Sequence, residues 1–521
     1  MTLNVKTDLK SPLWTNKGEI FVYGYGFANG ILLKSNALAD YFSKPGNSGS
    51  FKTALAGLNG IFAVVARLRD GSWYAASSPC GIPQLSYSNK DGKVVISDDA
   101  YSLTDGKFEK DDNAAWLYRC LAYIPGDATL DRRVKKIEPC NMLCIADGRL
   151  LQAPYYSFLC KKDGTQGTEY EAAGKCFLDI LDRVFDRMTC IAGGRQIAIP
   201  LSSGGDSRLI ATMLRKKGYD NVVCYTVGRK SNPEIPIAAS VAGKLGYKHY
   251  VIYAEDKEIH LHDKTDLGYL AYCCNLCNMP WTFEYPAVKH LVMKGIIEPD
   301  ALFAPGHGGD FLGGNHIRCT FIDERTSVKA IARRIATSRP IKKNDSLARN
   351  AIHRLLEHGN SFLPSSVLDD YMMKNWLSRN INISCRLYSY FGHGTLLPLW
   401  DNELINFFRM LDPEWKTKKI LYTDNIVKHV FEPMGTGFPT STHPTDKNVY
   451  MKQMFKDYVK SFIPARLLHE LLPRPQDLTG LSYINRQMEK EVLDNNPVLY
   501  SNQHNELSLL WYLKNVEAFC K

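Results

Sequence analysis

The chain has 521 residues and a mass of 58.8 kDa, enough for two to four domains at roughly 100–200 residues each. Hydrophobic residues make up 45% and charged residues 23%, a globular balance that excludes a disordered or fibrous chain. Lys and Arg total 64 against 54 Asp and Glu, a net charge of +10. The excess is spread thinly rather than gathered into a tail, so it suits anionic small molecules and argues against a nucleic-acid partner.

At the N-terminus, MTLNVKTDLK has no apolar core of the kind that directs export, and no run approaches the ~18 apolar residues of a membrane span. A cytoplasmic chain without a membrane segment is expected. The first 165 residues read as β-rich. Gly18–Phe27 is aromatic and alternating, Leu32–Phe42 fits a short helix, Ile61–Arg69 is an apolar strand and Gly71–Tyr74 follows a turn. Gln84–Ser88 and Val94–Ser97 flank a hairpin signal at Asn89–Gly92. Lys161–Thr168 (KKDGTQGT) is polar with two glycines and marks a linker, so the predicted division is 1–165 and 166–521. Beyond it Glu169–Met188 carries apolar residues at helical spacing. Strands and helices then alternate over Gln196–Leu201, Ser207–Lys217, Val222–Val227, Glu234–Leu245, His249–Tyr253 and Ala301–Ala304. Such alternation implies a parallel sheet. The 14 cysteines, with no export signal, read as reduced and mostly buried thiols. Cys273, Cys274 and Cys277 contain one C-x-x-C with no second ligand pair, a weak basis for zinc. From Ser327 onward the pattern is mainly helical.

The most informative segment is IAIPLSSGGDSRLIATMLRKKG. A buried strand ends at Leu201, the small-residue loop Ser202–Ser203–Gly204–Gly205 follows, and Asp206–Ser207 opens an amphipathic helix. Backbone amides can converge on an anion there, and the helix N-terminus adds partial positive charge. The lysine of a Walker A loop is absent, as is G-x-G-x-x-G spacing. A glycine-rich turn with Asp206 as a plain N-cap is the other reading of these residues. The segment ALFAPGHGGDFLGGNHI is a second strand running into a glycine-rich loop, and it carries Asp310. Loops at the carboxyl ends of parallel strands face one crevice, so Asp310 is expected to approach Asp206. Two carboxylates beside a pyrophosphate suit Mg²⁺.

The first loop resembles the pyrophosphate loop S-G-G-x-D-S of ATP pyrophosphatases, with Ser203 in place of the first glycine. That replacement costs on the order of 1 kcal/mol if the position needs a positive φ. Both segments together resemble the asparagine synthetase family, whose second motif is S-G-E-G-x-D-E. Here it reads Pro305–Gly306–His307–Gly308–Gly309–Asp310–Phe311. YTVGRKSNPEIPIAASVAGKLGYKHY is similar to the family's adenine-edge strand and helix. RLYSYFGHGTLLPLWDNELINF is similar to V-G-V-E-A-R-x-P-F-L-D, with Pro398 and Asp401 matching and Gly394 in place of the glutamate. LNGIFAVVARLRDGSWYAASSPCGIPQLSYS resembles the core of a class II glutamine amidotransferase domain.

The resemblance implies a degenerate N-terminal-nucleophile-like domain (1–165). A parallel-sheet, adenine-nucleotide α-hydrolase-like α/β synthetase domain with a helical C-terminal extension (166–521) follows it. It implies ATP and pyrophosphate at Leu201, Ser202, Ser203, Gly204, Gly205, Asp206, Ser207, Val227, Pro305 and Gly306, and Mg²⁺ on Asp206 and Asp310. His307 stands where the family has a glutamate, or a tyrosine in lactam-closing relatives, near the incoming amine. A histidine there can accept the amine proton, and an unperturbed imidazole would lose that capacity below about pH 6.5. The family's late lysine is assigned to Lys447, with Lys419 and Lys428 competing. Met1–Thr2–Leu3–Asn4 supplies no N-terminal cysteine and the first cysteine is Cys80, so glutaminase activity is expected to be lost. Thr2 is the alternative nucleophile, and Ala28–Asn29–Gly30–Ile31 is the nearest remnant of the glutamine-recognition loop.

The implied function is an ATP-dependent amide-forming ligase that releases AMP and pyrophosphate. It looks closest to asparagine-synthetase-like proteins of bacterial surface-polysaccharide loci, which implies amidation of a sugar uronic acid in O-antigen or capsule biosynthesis. Asparagine formation from aspartate is the neighbouring possibility, and an intramolecular amide former of the lasso-peptide cyclase or β-lactam synthetase kind is the alternative. A non-enzymatic binding protein is the remaining reading. The expected partners are a small-molecule or sugar carboxylate and ammonia or an amine, with a homodimer or a separate ammonia-supplying protein.

Overall fold

The alternating and apolar runs of the first part build two facing sheets. The computed structural model describes residues 3–162, 169–254, 259–261, 263–320, 325–338, 345–357, 361–417, 419–437, 477, 481–493 and 504–521. The larger sheet has seven strands. In order they are Arg149–Pro154, Asn141–Ala146, Trp73–Ser77, Asn59–Arg67, Ile20–Ala28 and Trp14–Lys17, with Ile31–Lys34 also paired to Ile20–Ala28. The smaller sheet runs Asn4–Asp8, Lys93–Ser97, Ser86–Lys90, Val134–Lys136. Strand side chains alternate between faces. Ala63, Val65 and Ala75 therefore meet Tyr87, Val94 and Ile96 between the sheets, while Phe62, Val64 and Tyr74 meet Phe42, Phe51 and Leu55 of two helices on the other face.

The predicted helix over Leu32–Phe42 is corrected. Asn29 and Gly30 adopt left-handed φ values of 50° and 78°, forming a two-residue turn that returns Ile31–Lys34 as a strand, and the helix spans Ser35–Ser43. The hairpin at Asn89–Gly92 turns on Asp91 and Gly92 in the same manner.

The second part opens with helix Tyr170–Ala192, whose Ala173, Phe177, Ile180, Val184 and Met188 line one buried stripe. A five-stranded, all-parallel sheet follows, in the order Lys248–Tyr253, Val222–Gly228, Ile197–Pro200, Leu302–Phe303, Gly394–Thr395. Gly394–Thr395, within the stretch read as mainly helical, is an edge strand too short to show periodicity. The order of the sheet reverses between Ile197–Pro200 and Leu302–Phe303. Such a reversal opens a crevice beyond the carboxyl ends of those two strands, and the two glycine-rich loops leave from them. Helices Ser378–Tyr390, Leu481–Leu493 and His504–Cys520 share one apolar cluster with Ala198, Val223, Tyr225 and Phe303 of the sheet, while helices Val328–Ser338 and Ser346–Leu356 pack with Leu117, Cys120 and Leu121 of the first part. Among the described residues no helix is long and apolar enough to cross a membrane.

Candidate active site

Ile197, Ala198 and Ile199 are fully buried, and Leu201 closes the ladder by donating its N–H to the Tyr225 carbonyl at 2.8 Å. The chain then turns through Ser202 and Ser203 into helix Gly205–Lys216, whose N-cap, Gly204, supplies no side-chain cap. The first-turn amides thus lack a side-chain acceptor, and they point out of a helix end that carries partial positive charge. Ser202 and Ser207 tie the loop across itself. Ser202 N–H donates to Ser207 Oγ at 3.1 Å, and Gly204 N–H donates to Ser202 Oγ at 3.1 Å. Ser203 is absent from the residues with positive φ, so it carries no left-handed strain. Its hydroxyl donates to Glu234 Oε1 at 3.0 Å. Glu234, in the segment similar to the family's adenine-edge strand and helix, is therefore bound to this loop, and Val227 lies partly buried near the end of the neighbouring strand.

The second loop closes on the first through its glycines. A Cβ on Gly306 would stand 2.7 Å from Ser207 N, and one on Gly309 would overlap the Asp206 carboxyl group. Backbone thus approaches backbone where any larger residue would force the loops apart. Pro305 is buried at the strand end. The Asp206 carboxylate accepts from the Tyr422 hydroxyl at 2.9 Å. Burial pushes the Asp206 carboxyl up to about 6; Lys419 pulls it down and Asp310 pushes it further up. The Asp310 side chain is 71% exposed and forms an ion pair with Lys419. Lys419 holds a left-handed φ of 55° at the start of helix Ile420–Ile426, and its ammonium lies 5.4 Å from the Tyr422 ring centroid.

The structure therefore brings Asp206, Asp310 and Lys419 together. Lys428 is exposed elsewhere on the following turn, and Lys447 and Thr2 lie outside the described residues. Tyr422 sits inside the sequence segment KKILYTD without a motif to single it out. Among the described residues no group of three or more His, Cys, Asp or Glu side chains forms a metal cluster, and Cys273, Cys274 and Cys277 are buried free thiols. Asp206 and Asp310 remain a pair of carboxylates on facing loops. That donor set fits Mg²⁺, which needs only one or two carboxylates when phosphate oxygens and water complete its shell.

His307 is partly buried, and its Nε2 lies 2.9 Å from Ser384 Oγ. Burial pushes its imidazole down to about 4, which corrects the expectation of an unperturbed ring. Asp401 and Pro398 match the family segment, and the residues between them pack on the second loop: a Cβ on Gly308 would stand 3.0 Å from the Leu399 carbonyl oxygen and 2.9 Å from Trp400 Nε1. Asp401 caps helix Asn402–Met410 and takes a two-pronged pair from Arg187 at 2.7 and 2.8 Å.

A family model described as asparagine synthase matches residues 187–519. The asparagine synthetase [glutamine-hydrolyzing] 1 of Bacillus subtilis (strain 168) is 26% identical over 276 residues, covering 50% of this chain and 40% of that protein. The alignment thus spans less than half of that relative's length. The family-model match takes in both glycine loops, Lys419 and the whole parallel sheet, more than half of the chain, and on that ground the chain belongs to the asparagine synthase family.

Proposed function

We propose that the chain is an ATP-dependent amide-forming ligase that adenylates a carboxylate and transfers nitrogen to it. The observation that carries this reading is the meeting of Asp206, Asp310 and Lys419 at the open end of helix Gly205–Lys216. The loop amides with Ser202, Ser203 and Ser207 would cradle the pyrophosphate, Val227 and Leu201 would border the adenine, and Pro305 and Gly306 would close over the phosphates. Asp206 and Asp310 would hold Mg²⁺, which when bound supplies charge neutralisation to the phosphates. Lys419 stands where negative charge develops on the leaving pyrophosphate. Lys447 remains a second candidate for that charge. His307, uncharged at neutral pH, accepts the proton of the attacking amine.

Residues 166–521 form the synthetase domain in this reading. Residues 1–165 form a glutaminase-like scaffold without glutaminase activity, so nitrogen arrives as ammonia or an amine. Cys80 supports this, because its thiol is buried and pushed up by burial, which leaves little nucleophilic thiolate. The substrate is a sugar uronic acid of surface-polysaccharide biosynthesis, with aspartate as the neighbouring choice.

The test is carboxylate-dependent exchange of labelled pyrophosphate into ATP, using UDP-galacturonate, UDP-glucuronate and aspartate. Mg²⁺-dependent exchange with a UDP-uronic acid is expected. Exchange with aspartate alone would move the substrate to asparagine formation, and no exchange with any of them would overturn the adenylation reading for these substrates.

A further inference from the structure

One residue past the Asp206–Ser207 pair, helix Gly205–Lys216 carries Arg208, whose side chain is fully buried, 0% exposed. Burying a guanidinium is costly unless its hydrogen bonds offset the lost hydration. Arg208 Nη2 donates to the Ser203 carbonyl at 2.5 Å, and Nη1 donates to the Thr436 carbonyl at 3.2 Å. The guanidinium carbon lies 5.4 Å from the Phe431 ring centroid. One turn further along the helix, the hydroxyls of Thr212 and Thr436 are 3.2 Å apart, and Thr436 N–H donates to the Phe431 carbonyl at 2.9 Å. Lys244 Nζ, from helix Glu234–Leu245, donates to the neighbouring Gly435 carbonyl at 2.7 Å. The back of the phosphate loop is thus tied through Arg208 to a turn 228 residues further along the chain.

The Ser203 carbonyl and the Gly204 N–H belong to one planar peptide unit and point in opposite directions. Arg208 holds the carbonyl end, and Ser202 Oγ accepts from the N–H end at 3.1 Å. The Ser203 hydroxyl is held separately by Glu234. This peptide cannot rotate without breaking a bond at each end. Rotation would swing the carbonyl oxygen from the buried side of the loop to the opposite side. There the negative end of the peptide dipole would oppose an anion drawn to the first-turn amides. We infer that Arg208 is a positioning residue of the phosphate loop: its guanidinium and the Ser202 hydroxyl clamp the Ser203–Gly204 peptide, which keeps this carbonyl away from a bound pyrophosphate. The clamp presupposes the reading of the loop as a pyrophosphate cradle. Arg208 is assigned no contact with ATP and acts only through the peptide it holds, while the Thr436 carbonyl and the Phe431 ring fix its guanidinium from the other side.

The experiment titrates inorganic pyrophosphate with MgCl₂ into full-length wild type, Arg208→Met, Ser202→Ala and the double variant by isothermal calorimetry. Arg208→Met should bind pyrophosphate roughly 10- to 100-fold more weakly than wild type, the range for a lost charge-assisted hydrogen bond. The double variant should bind no more than about threefold more weakly than the weaker single variant, because either change frees the same peptide. In pyrophosphate exchange with the UDP-uronic acids or aspartate, half-saturating ATP should rise in Arg208→Met by a similar factor while the maximal rate stays within about threefold. Pyrophosphate affinity within about twofold of wild type in Arg208→Met overturns the clamp and leaves the cradle reading standing. Losses that multiply in the double variant also overturn it, since the two residues then act independently. A lowered maximal rate at unchanged half-saturation overturns it too and makes Arg208 a tie within the core. If wild type itself binds no pyrophosphate, the cradle reading falls and takes the clamp with it. If Arg208→Met lacks native circular dichroism, Arg208→Gln, shorter but still polar, is judged by the same outcomes.

Discussion

At Asp206, the requirements of folding and of the proposed chemistry oppose each other. Burial and the neighbouring Asp310 raise its carboxyl to about 6, from 3.8 in an exposed chain. A carboxyl raised on folding binds its proton more tightly in the native state, so its ionisation weakens the fold as pH climbs from about 4 to about 6. At neutral pH the penalty is on the order of 3 kcal/mol. Asp206→Asn keeps an acceptor for Tyr422 and removes the charge. It should therefore raise the thermal midpoint of the protein in EDTA at about pH 7.5 while abolishing pyrophosphate exchange; a lowered midpoint in calorimetry would contradict this account. His307 follows the opposite sign. With its imidazole pushed down to about 4, it stays neutral well below the pH at which a free ring charges. Expressed per unit of free, unprotonated amine, amide formation should hold from about pH 8 to about pH 5 instead of fading near 6.5, and a fade centred near 6.5 in that corrected profile would show an unperturbed ring. His307→Ala should cut amide formation by roughly 10²–10⁴-fold with exchange near wild type. Equal loss of both steps would make the residue a support of the glycine loop.

At the scale of elements, the site is two strand-to-helix loops held in contact by missing side chains. Gly309 is the tightest point, since even one carbon there overlaps the Asp206 carboxyl group. Gly309→Ala must push the loops apart or turn Asp206 away, so exchange should fall by at least about 100-fold. The fold itself should lose only about 1–3 kcal/mol, the usual cost of local overpacking. Loss of soluble folded protein, judged by circular dichroism, would show that the loop contact matters to the whole core. Lys419 is placed by a buried ion network below the second loop. Asp369 pairs with both Lys416 and His316, and the carbonyl of Lys416 accepts the Lys419 N–H at 3.0 Å. Lys416 also lies over the Phe158 ring, 4.9 Å from its centroid, so its position is fixed from two sides and Lys419 follows three residues later.

Across the whole molecule, the two parts share one interior. Phe27, Ile61, Cys80 and Phe158 from the first part belong to the same apolar cluster as Val184, Leu397 and Trp400 from the second. Polar contacts cross as well: Asn402 is bonded to Asn59 and to the Leu58 carbonyl, Asn382 Nδ2 donates to the Gly81 carbonyl at 2.6 Å, and Arg119 pairs with Glu506. Unfolding in urea should therefore be a single transition with coincident fluorescence and near-ultraviolet dichroism, and residues 1–165 expressed alone should aggregate or lack near-ultraviolet dichroism. Two separated transitions would show that the halves are independently stable.

The sequence by itself determined the features that are local. Period-two apolar runs specified the first part's strands, helical spacing specified Tyr170–Ala192, and strand–loop–helix alternation specified the parallel sheet. The small residues of Ser202–Gly205 and Pro305–Gly309 marked both loops before any contact was known, because tight backbone approach demands such residues wherever it occurs. The strand Ile31–Lys34 after the Asn29–Gly30 turn was equally local, but its residues read as the start of the helix that follows. Only the tertiary structure decided what depends on distant segments meeting: that Lys419 stands beside Asp310 and that Tyr422 bonds Asp206. Those groups come from strands and helices far apart in the chain, with no common spacing to betray them. The shift of His307 belongs to the same class, since burial is a property of the surrounding fold and not of the residue.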